Sequence, residues 1–312
     1  MNRYLPRKKK TRLAVALAAV LAVAAAVAFG IAIPADPPES GLGVDTHVDH
    51  ADIWSVNVET RELTRQTLYA DAVEPDWSPE GKIAFSTSDC DECESEIHID
   101  GSGSTETQVN TTIRHLYQPS WAPDGRRFAT IRLGMGVWVV DVVAKTAKRL
   151  TAGTGDEAPA WSPNGDWIGY DKLVSGTNYD LYAVNANTGD RRRLTKDSAP
   201  QTNPTWSPDA SRLAFAEQQS NGKWSIFTMG FDGNGRQRVT GSQISAQEPS
   251  WSPDGKRIAF ILQELDSAKV AVVNADGSGS ITPLTDNSLL PSKPTWSPDS
   301  KSVAFAATVE PQ

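Results

Sequence analysis

One short phrase, written six times, limits what this chain can become. It reads "PDWSPEGKIAF" from Pro75, "PSWAPDGRRFAT" from Pro119, "PAWSPNGDWIGY" from Pro159, "PTWSPDASRLAF" from Pro204, "PSWSPDGKRIAF" from Pro249 and "PTWSPDSKSVAF" from Pro294. Ser-Pro-Asp-Gly suits a type I turn: Ser opens it, Pro fixes φ at the second position and Gly takes a positive φ at the fourth. Ala210 and Ser300 stand where the other copies have that Gly. A left-handed non-glycine residue costs about 1–2 kcal/mol, so these two turns are expected to differ in detail. The β-rich, mostly apolar run after each turn reads as a strand buried on both faces. The tryptophans fall at 77, 121, 161, 206, 251 and 296, at intervals of 40 to 45 residues. A period of about 40–45 residues is the length of one four-stranded propeller blade.

The two further strands each blade needs lie between the tryptophans. A third strand aligns as "EIHID" (Glu96), "GVWVVD" (Gly136), "DLYAVN" (Asp180), "SIFTMG" (Ser225) and "KVAVVN" (Lys269). A fourth ends in "RLT" at Arg149 and Arg193, "RVT" at Arg238 and "PLT" at Pro283. The last copy has two strands only, and the missing pair appears at the other terminus as "DIWSVN" from Asp52 and "RELTRQT" from Arg61. Pairing the ends completes a sixth blade and removes the open sheet edges. The expected fold is therefore all-β: a six-bladed β-propeller over residues 51–310, closed by pairing N-terminal strands with the C-terminal half-blade. The repeat tryptophans are assigned to packing between blades. Trp251 is placed in such a slot and Trp224, in a third strand, is given a lighter role.

Before the propeller stand a basic stretch, residues 1–12, and an apolar run, residues 13–33, without a charge. Twenty-one apolar residues suffice to span a bilayer, and basic residues in front place the N-terminus in the cytoplasm and the propeller outside. The run is read as a single-pass membrane anchor, or as a signal segment cleaved near Ala26–Ala28, which would leave a secreted or periplasmic protein. Residues 34–50 form a linker. The formal net charge is −8, and the first twelve residues contribute six of the basic groups and no acid. The rest is acidic, which disfavours nucleic acid as a partner and leaves the membrane to the N-terminal segment alone.

Motifs for chemistry are sparse. Cys90 and Cys93 are the only cysteines; Asp89, Asp91, Glu92 and Glu94 around them oppose a reactive thiolate, and outside the cytoplasm the pair is read as a disulfide. "DTHVDHAD", from Asp45, is read as a solvated linker, not as a metal site. His98 occupies the slot that Trp54, Trp138, Tyr182 and Phe227 hold in other third strands, and is read as a packed residue. No nucleophile elbow, P-loop or zinc-protease motif occurs. Neither a catalytic residue nor a metal or other cofactor is expected.

The phrase "PxWSPDGxxIAF", followed by a third strand and "LT", resembles the repeat of TolB-like propellers, and the resemblance runs over about residues 50–308. It implies a six-bladed extracytoplasmic propeller used for protein–protein contact in the cell envelope. The α/β domain that TolB carries before its propeller has no counterpart in the short linker here. A similar propeller precedes the hydrolase domain of prolyl-oligopeptidase-like enzymes, for which this chain has no further span after Ala307. The function expected is a membrane-tethered, monomeric, non-enzymatic scaffold for a protein or peptide. Alternatives are a sensor ectodomain for a saccharide or other small molecule and, less favoured, a metal-dependent propeller enzyme.

The resemblance also places the first strand of each blade along the central channel. The residues before each proline then form one rim: Glu74, Gln118, Ala158, Asn203, Glu248 and Lys293. The segments leading in add Asp71, Tyr117, Asp156, Glu157, Gln201 and Gln247. Five acids against one lysine predict a negative mouth that steers a basic or amide-rich segment inward.

Overall fold

The computed structural model describes residues 51–67, 72–87, 96–101, 105–108, 115–132 and 134–309. The basic stretch, the apolar segment, the linker, Asp71, Cys90 and Cys93 lie outside these residues. The strands run in chain order. β1 (Ala51–Asn57) and β2 (Leu63–Arg65) come first. Blade 1 is β3 (Ala72–Trp77), β4 (Ile83–Thr87), β5 (Glu96–Gly101) and β6 (Thr105–Gln108). Blade 2 is β7 (Leu116–Trp121), β8 (Arg127–Arg132), β9 (Gly136–Asp141) and β10 (Thr146–Arg149). Blade 3 is β11 (Asp156–Trp161), β12 (Trp167–Ser175), β13 (Asn178–Asn185) and β14 (Arg191–Arg193). Blade 4 is β15 (Gln201–Trp206), β16 (Arg212–Gln218), β17 (Trp224–Gly230) and β18 (Gln237–Arg238). Blade 5 is β19 (Ser245–Trp251), β20 (Arg257–Gln263), β21 (Ala268–Asn274) and β22 (Thr282–Pro283). β23 (Leu289–Trp296) and β24 (Ser302–Val309) end the chain and join β1 and β2 in a four-stranded sheet ordered β2-β1-β24-β23. This sixth blade is the expected closure. β1 lies antiparallel to β24 over seven residue pairs, from Ala51↔Thr308 to Asn57↔Ser302.

The repeat phrase builds the same four-residue turn in every blade. The fourth residue of each turn donates its N–H to the carbonyl of the first, as Gly81 does to Ser78 and Gly255 to Ser252. Ala210 and Ser300 make the same bond and carry φ of 57° and 60°. The expectation that these two turns differ is therefore corrected: the strands fix the left-handed residue and the side chain accommodates it. The Ser hydroxyl of the phrase accepts the N–H that opens the second strand, as Ser207 does from Arg212 at 2.9 Å. The Thr of "RLT" is buried and accepts an N–H of the third strand, as Thr195 does from Leu181 at 2.9 Å and Thr240 from Ile226 at 2.9 Å. Fixed polar bonds thus accompany the apolar packing.

The core lies between the blades. The second strands read as continuous apolar runs because both of their faces are covered, and Phe85, Phe128, Phe215, Phe260 and Phe305 are fully buried. Each repeat tryptophan packs toward the blade before its own. Trp121 meets Ala84 and Ile97; Trp161 meets Ala129, Ile131 and Val137; Trp296 meets Ala259, Ile261 and Val270. Trp251 packs at the edge of its cluster and is half-buried, as is Trp224 on the same cluster. Burial therefore does not set these two apart; Trp121, Trp161, Trp206 and Trp296 are the buried members.

Candidate functional site

The innermost strand of each blade is a sheet edge, and its proline explains how that edge is built. In β3, Val73 pairs with Ser86 and Asp76 with Ala84, so Glu74 and Pro75 together oppose Phe85. This is a β-bulge, and the same register shift recurs in the other five inner strands. Proline has no N–H for the ladder and is tolerated at a bulge on an edge strand. The residue before it pays for the bulge in conformation: Glu74, Gln118, Ala158, Asn203, Glu248 and Lys293 all have φ between 47° and 56°. Each such non-glycine position stores strain of about 1–3 kcal/mol. All six line a central cavity of about 260 Å³.

The N–H groups that the bulges turn toward the neighbouring blade are caught by side chains. Gln118 N–H donates to Glu74 Oε2 at 2.9 Å and Ala158 N–H to Gln118 Oε1 at 2.7 Å. Lys293 N–H donates to Glu248 Oε2 at 2.6 Å. Ala158 has no side chain to reach blade 4, and there Asp171 on β12 takes over, accepting Asn203 N–H at 2.7 Å. A second tier lies deeper. Trp121 N–H donates to Asp76 Oδ2 at 2.7 Å, and Trp161 N–H to Ser120 Oγ at 3.0 Å. Asp76 also accepts the hydroxyl of Thr295 at 3.1 Å, which links blade 1 to blades 2 and 6. These bonds hold the inner edges to one another, the alternative to leaving edge groups unpaired.

The same carboxylates give the mouth its charge. Burial pushes the Glu74 carboxyl up; the Lys293 ammonium opposes that and the Glu248 charge adds to it. Glu157 is raised by burial, with Lys293 opposing and Glu74 adding. Asp171, 2 % exposed, is pushed up to about 7 by burial and then by the neighbouring Glu157 charge. Asp76 is pushed up to about 7, by burial. Asp171 Oδ1 has no hydrogen-bond partner among the described residues. Glu74, Glu157 and Asp171 therefore share one field with Glu248 around Lys293, and in their ionised forms they favour cations and hydrogen-bond donors.

The residues leading into the rim divide. Glu157 belongs to the mouth, and Tyr179 donates its hydroxyl to Glu157 Oε1 at 3.4 Å. Tyr117 and Gln247 are half-buried beside the rim. Asp156 is buried beneath it, accepting from Thr151 Oγ1 at 2.5 Å and from Lys172 Nζ at 2.7 Å. Gln201 is likewise buried, with its amide NH2 toward Asp197 and Glu217 at 3.4 Å each. Sequence reasoning passed over Asp171 and Ser86. Both occupy the position where the other second strands carry Ile131, Ala216, Ile261 and Ala306. A polar residue at that apolar position was the available signal, and both reach the N–H of the next rim residue, Ser86 meeting Gln118 N–H at 3.2 Å. Asp52, from the His- and Asp-rich segment, is ion-paired to Arg65 at 2.5 Å. His98 stacks on Phe85 with ring centroids 5.7 Å apart, as a packed strand residue does. Among the described residues, no group of three or more His, Cys, Asp or Glu is placed to hold a metal ion.

Residues 172–312 match a family model described as the TolB beta propeller domain. Over those residues, a little under half of the chain, the protein is similar to that family, and the likeness to solved structures extends the shared fold to the rest of the described ring. A candidate TolB from Agrobacterium tumefaciens superposes with a TM-score of 0.71 at 20% identity, over 84% of this chain and 99% of that one. TolB from Acinetobacter baumannii gives 0.60 at 17% identity, over 83% of this chain and 64% of that one. The TolB-like fold is shared more widely: oligogalacturonate lyase from Vibrio parahaemolyticus gives 0.53 at 12% identity, over 84% of this chain and 98% of that one. Among curated proteins no match was found.

Proposed function

We propose that this TolB-like propeller is a non-enzymatic, extracytoplasmic scaffold, tethered to a membrane by residues 13–33, that receives a basic or amide-rich segment of a protein partner at its acidic channel mouth. The observation that carries the reading is Glu74, Glu248 and Lys293 at strained backbone positions that line one cavity, with Glu157 and Asp171 electrostatically coupled to Lys293 beside them. Strain kept at a converging site is a reason to look for function there, and a mouth of one charge sign steers a complementary segment.

The test needs variants that change charge without opening the ring, and the repeat supplies them. Gln118 makes its inter-blade bond from the rim position as a glutamine, so Glu74→Gln and Glu248→Gln preserve theirs. A partner recovered from membranes after mild crosslinking is compared on wild type and on Glu74→Gln/Glu157→Gln/Glu248→Gln. Binding is expected to weaken roughly tenfold at low salt and the difference to shrink at high salt. Lys148→Glu, on the exposed outer strand of blade 2, is expected to bind like wild type. A triple variant that binds like wild type at low salt removes the mouth from the reading.

A further inference from the structure

The six junctions are not equal, and the difference lies at the end of the inner strands away from Glu74. Arg127 opens the second strand of blade 2, and its guanidinium lies over Trp161 of blade 3, 5.1 Å from the ring centroid. Arg257 of blade 5 lies over Trp296 of blade 6 at 4.9 Å and donates to the Ser300 carbonyl at 3.1 Å. The corresponding residue of blade 6 is Ser302, the neighbour of Val303 as Arg257 is of Ile258. A serine cannot cover an indole, and among the described residues no cationic side chain lies over Trp77 of blade 1. Trp77 is half-buried, whereas Trp161 and Trp296 are buried.

A groove of about 540 Å³ opens at this seam, and Trp77, Ser302, Ser55, Gln66, Glu80 and Asp299 line it. The turn of blade 1 is one residue shorter than its counterparts: Ser78 N–H pairs with Lys82 O, where Ser252 pairs with Arg257. Gln66 stands at the position that Leu150, Leu194, Val239 and Leu284 fill in blades 2 to 5, and Ser55 stands where blades 2, 3 and 5 have Val139, Ala183 and Val272. Gln66 donates from Nε2 to Ser55 Oγ at 2.8 Å, and its Oε1 has no partner among the described residues. Glu80 and Asp299 face Lys82 at 3.2 Å and Lys301 at 3.9 Å. Such exposed pairs hold little energy; Asp299 Oδ1 accepts from Ser297 Oγ at 2.7 Å and from Lys301 N–H at 3.0 Å, which leaves Glu80 and the Oδ2 of Asp299 to engage another cation.

We propose that this groove receives an arginine side chain of a protein partner, whose guanidinium takes over Trp77 the place that Arg257 takes over Trp296. The protein's own blades display the ligand's pose. The indole face supplies the cation–π contact, the turn at Gly81 corresponds to the Ser300 carbonyl, and Glu80 and Asp299 supply charge. The substitutions to Gln66 and Ser55 make the floor able to hydrogen-bond. The site lies at the Trp77 end of β3, away from Glu74, and Trp77 lines both this groove and the central cavity.

The test uses the full-length protein in detergent and the peptides acetyl-Gly-Arg-Gly-amide and acetyl-Gly-Gln-Gly-amide, followed by the Trp77 indole N–H resonance. The arginine peptide is expected to shift that resonance and to bind at least fivefold more tightly than the glutamine peptide. Ser302→Arg fills the slot from within, as blades 2 and 5 do; it is expected to abolish the shift and to raise the melting temperature. The exposed pair Glu80→Gln/Asp299→Asn, which leaves the packing intact, is expected to weaken arginine binding at least threefold and tests the site even if Ser302→Arg does not fold. Equal affinity for the two peptides overturns the proposal, as does undiminished binding by Ser302→Arg or by the double carboxylate variant.

Discussion

Trp296→Ala offers the sharpest probe of how the blades hold together. Trp296 is 4 % exposed and packs against Ala259, Ile261, Val270, Val272 and Leu284 of blade 5. Its indole N–H donates to the Ser250 carbonyl of that blade at 3.0 Å. Truncation therefore empties a large inter-blade slot and frees a carbonyl. Removing a buried tryptophan costs about 3–5 kcal/mol, and an acceptor left unpaired adds about 1 kcal/mol or more. For a domain of this size 1 kcal/mol moves the melting point by roughly 2–4 °C, so the expected loss is on the order of 10 °C. Trp251→Ala is the control. Trp251 is half-buried, and its N–H stays with its own turn at Gly255 O, 3.2 Å away. It should lose about half as much. Trp296→Phe should fall between wild type and the alanine variant, because it keeps most of the packing and gives up the bond. Thermal unfolding followed by circular dichroism reads all three. If Trp251→Ala melts as low as Trp296→Ala, depth in the inter-blade slot does not set the cost.

Three further outcomes follow from the same contacts. Ala210→Gly relieves a left-handed alanine with φ of 57° and should raise stability by up to about 1 kcal/mol, read as a higher melting point. Asp76 and Asp171 have carboxyls pushed up to about 7 from an ordinary 3.8. The folded protein thus holds protons that the unfolded chain has released between about pH 4 and 7, so stability falls as pH rises through that window. The melting point should rise from pH 8 to pH 6, and Asp76→Asn, whose amide can serve both Trp121 and Thr295, should reduce that rise; an unchanged slope refutes the assignment. Deleting residues 52–67 removes β1 and β2 and should give aggregated protein, while removal of residues 1–44 should leave a soluble propeller; size-exclusion chromatography separates the two outcomes.

The fold was legible because its signals repeat. Turn residues, tryptophan spacing and an apolar second strand recur at one period, and a chain that ends in half a blade announces its own closure. The rim positions before each proline were legible for the same reason. Their conformation was not, because a period-2 pattern carries no sign of a bulge, and the left-handed φ at Glu74 or Lys293 follows from pairing across strands. Asp156 shows a second limit. Its position in the segment leading into the rim gives no sign of burial, and the lysine that holds it, Lys172, lies on the neighbouring strand sixteen residues away. Asp171 was hidden by alignment: read within its own strand it is one odd letter, and only the register beside Ser86 and Ile131 shows what the letter replaces.

Departures from the repeat also separate stability from recognition in this ring. Every rim side chain that accepts an N–H from the next blade has a structural duty, and Glu74, Gln118 and Glu248 share it. Lys293 cannot, since an ammonium has no acceptor, so blade 6 is joined to blade 1 by other means. The means are deeper: Thr295 reaches Asp76, and Trp77 packs on Ile53, Ala304 and Ala306. The blade that closes the ring is itself held by seven residue pairs between β1 and β24. A lysine is thereby free to sit among the carboxylates of the mouth without weakening the seam. Lys293→Met should accordingly leave stability within about 1 kcal/mol of wild type, because the Lys293 ammonium makes no ion pair or hydrogen bond among the described residues and the raised carboxyls around it can take up protons, while making the mouth more negative. Its effect on a basic partner has a definite sign, tighter binding at low salt with the gain lost at high salt. A large loss of stability in Lys293→Met would place the seam at the rim instead of in the strands beneath it.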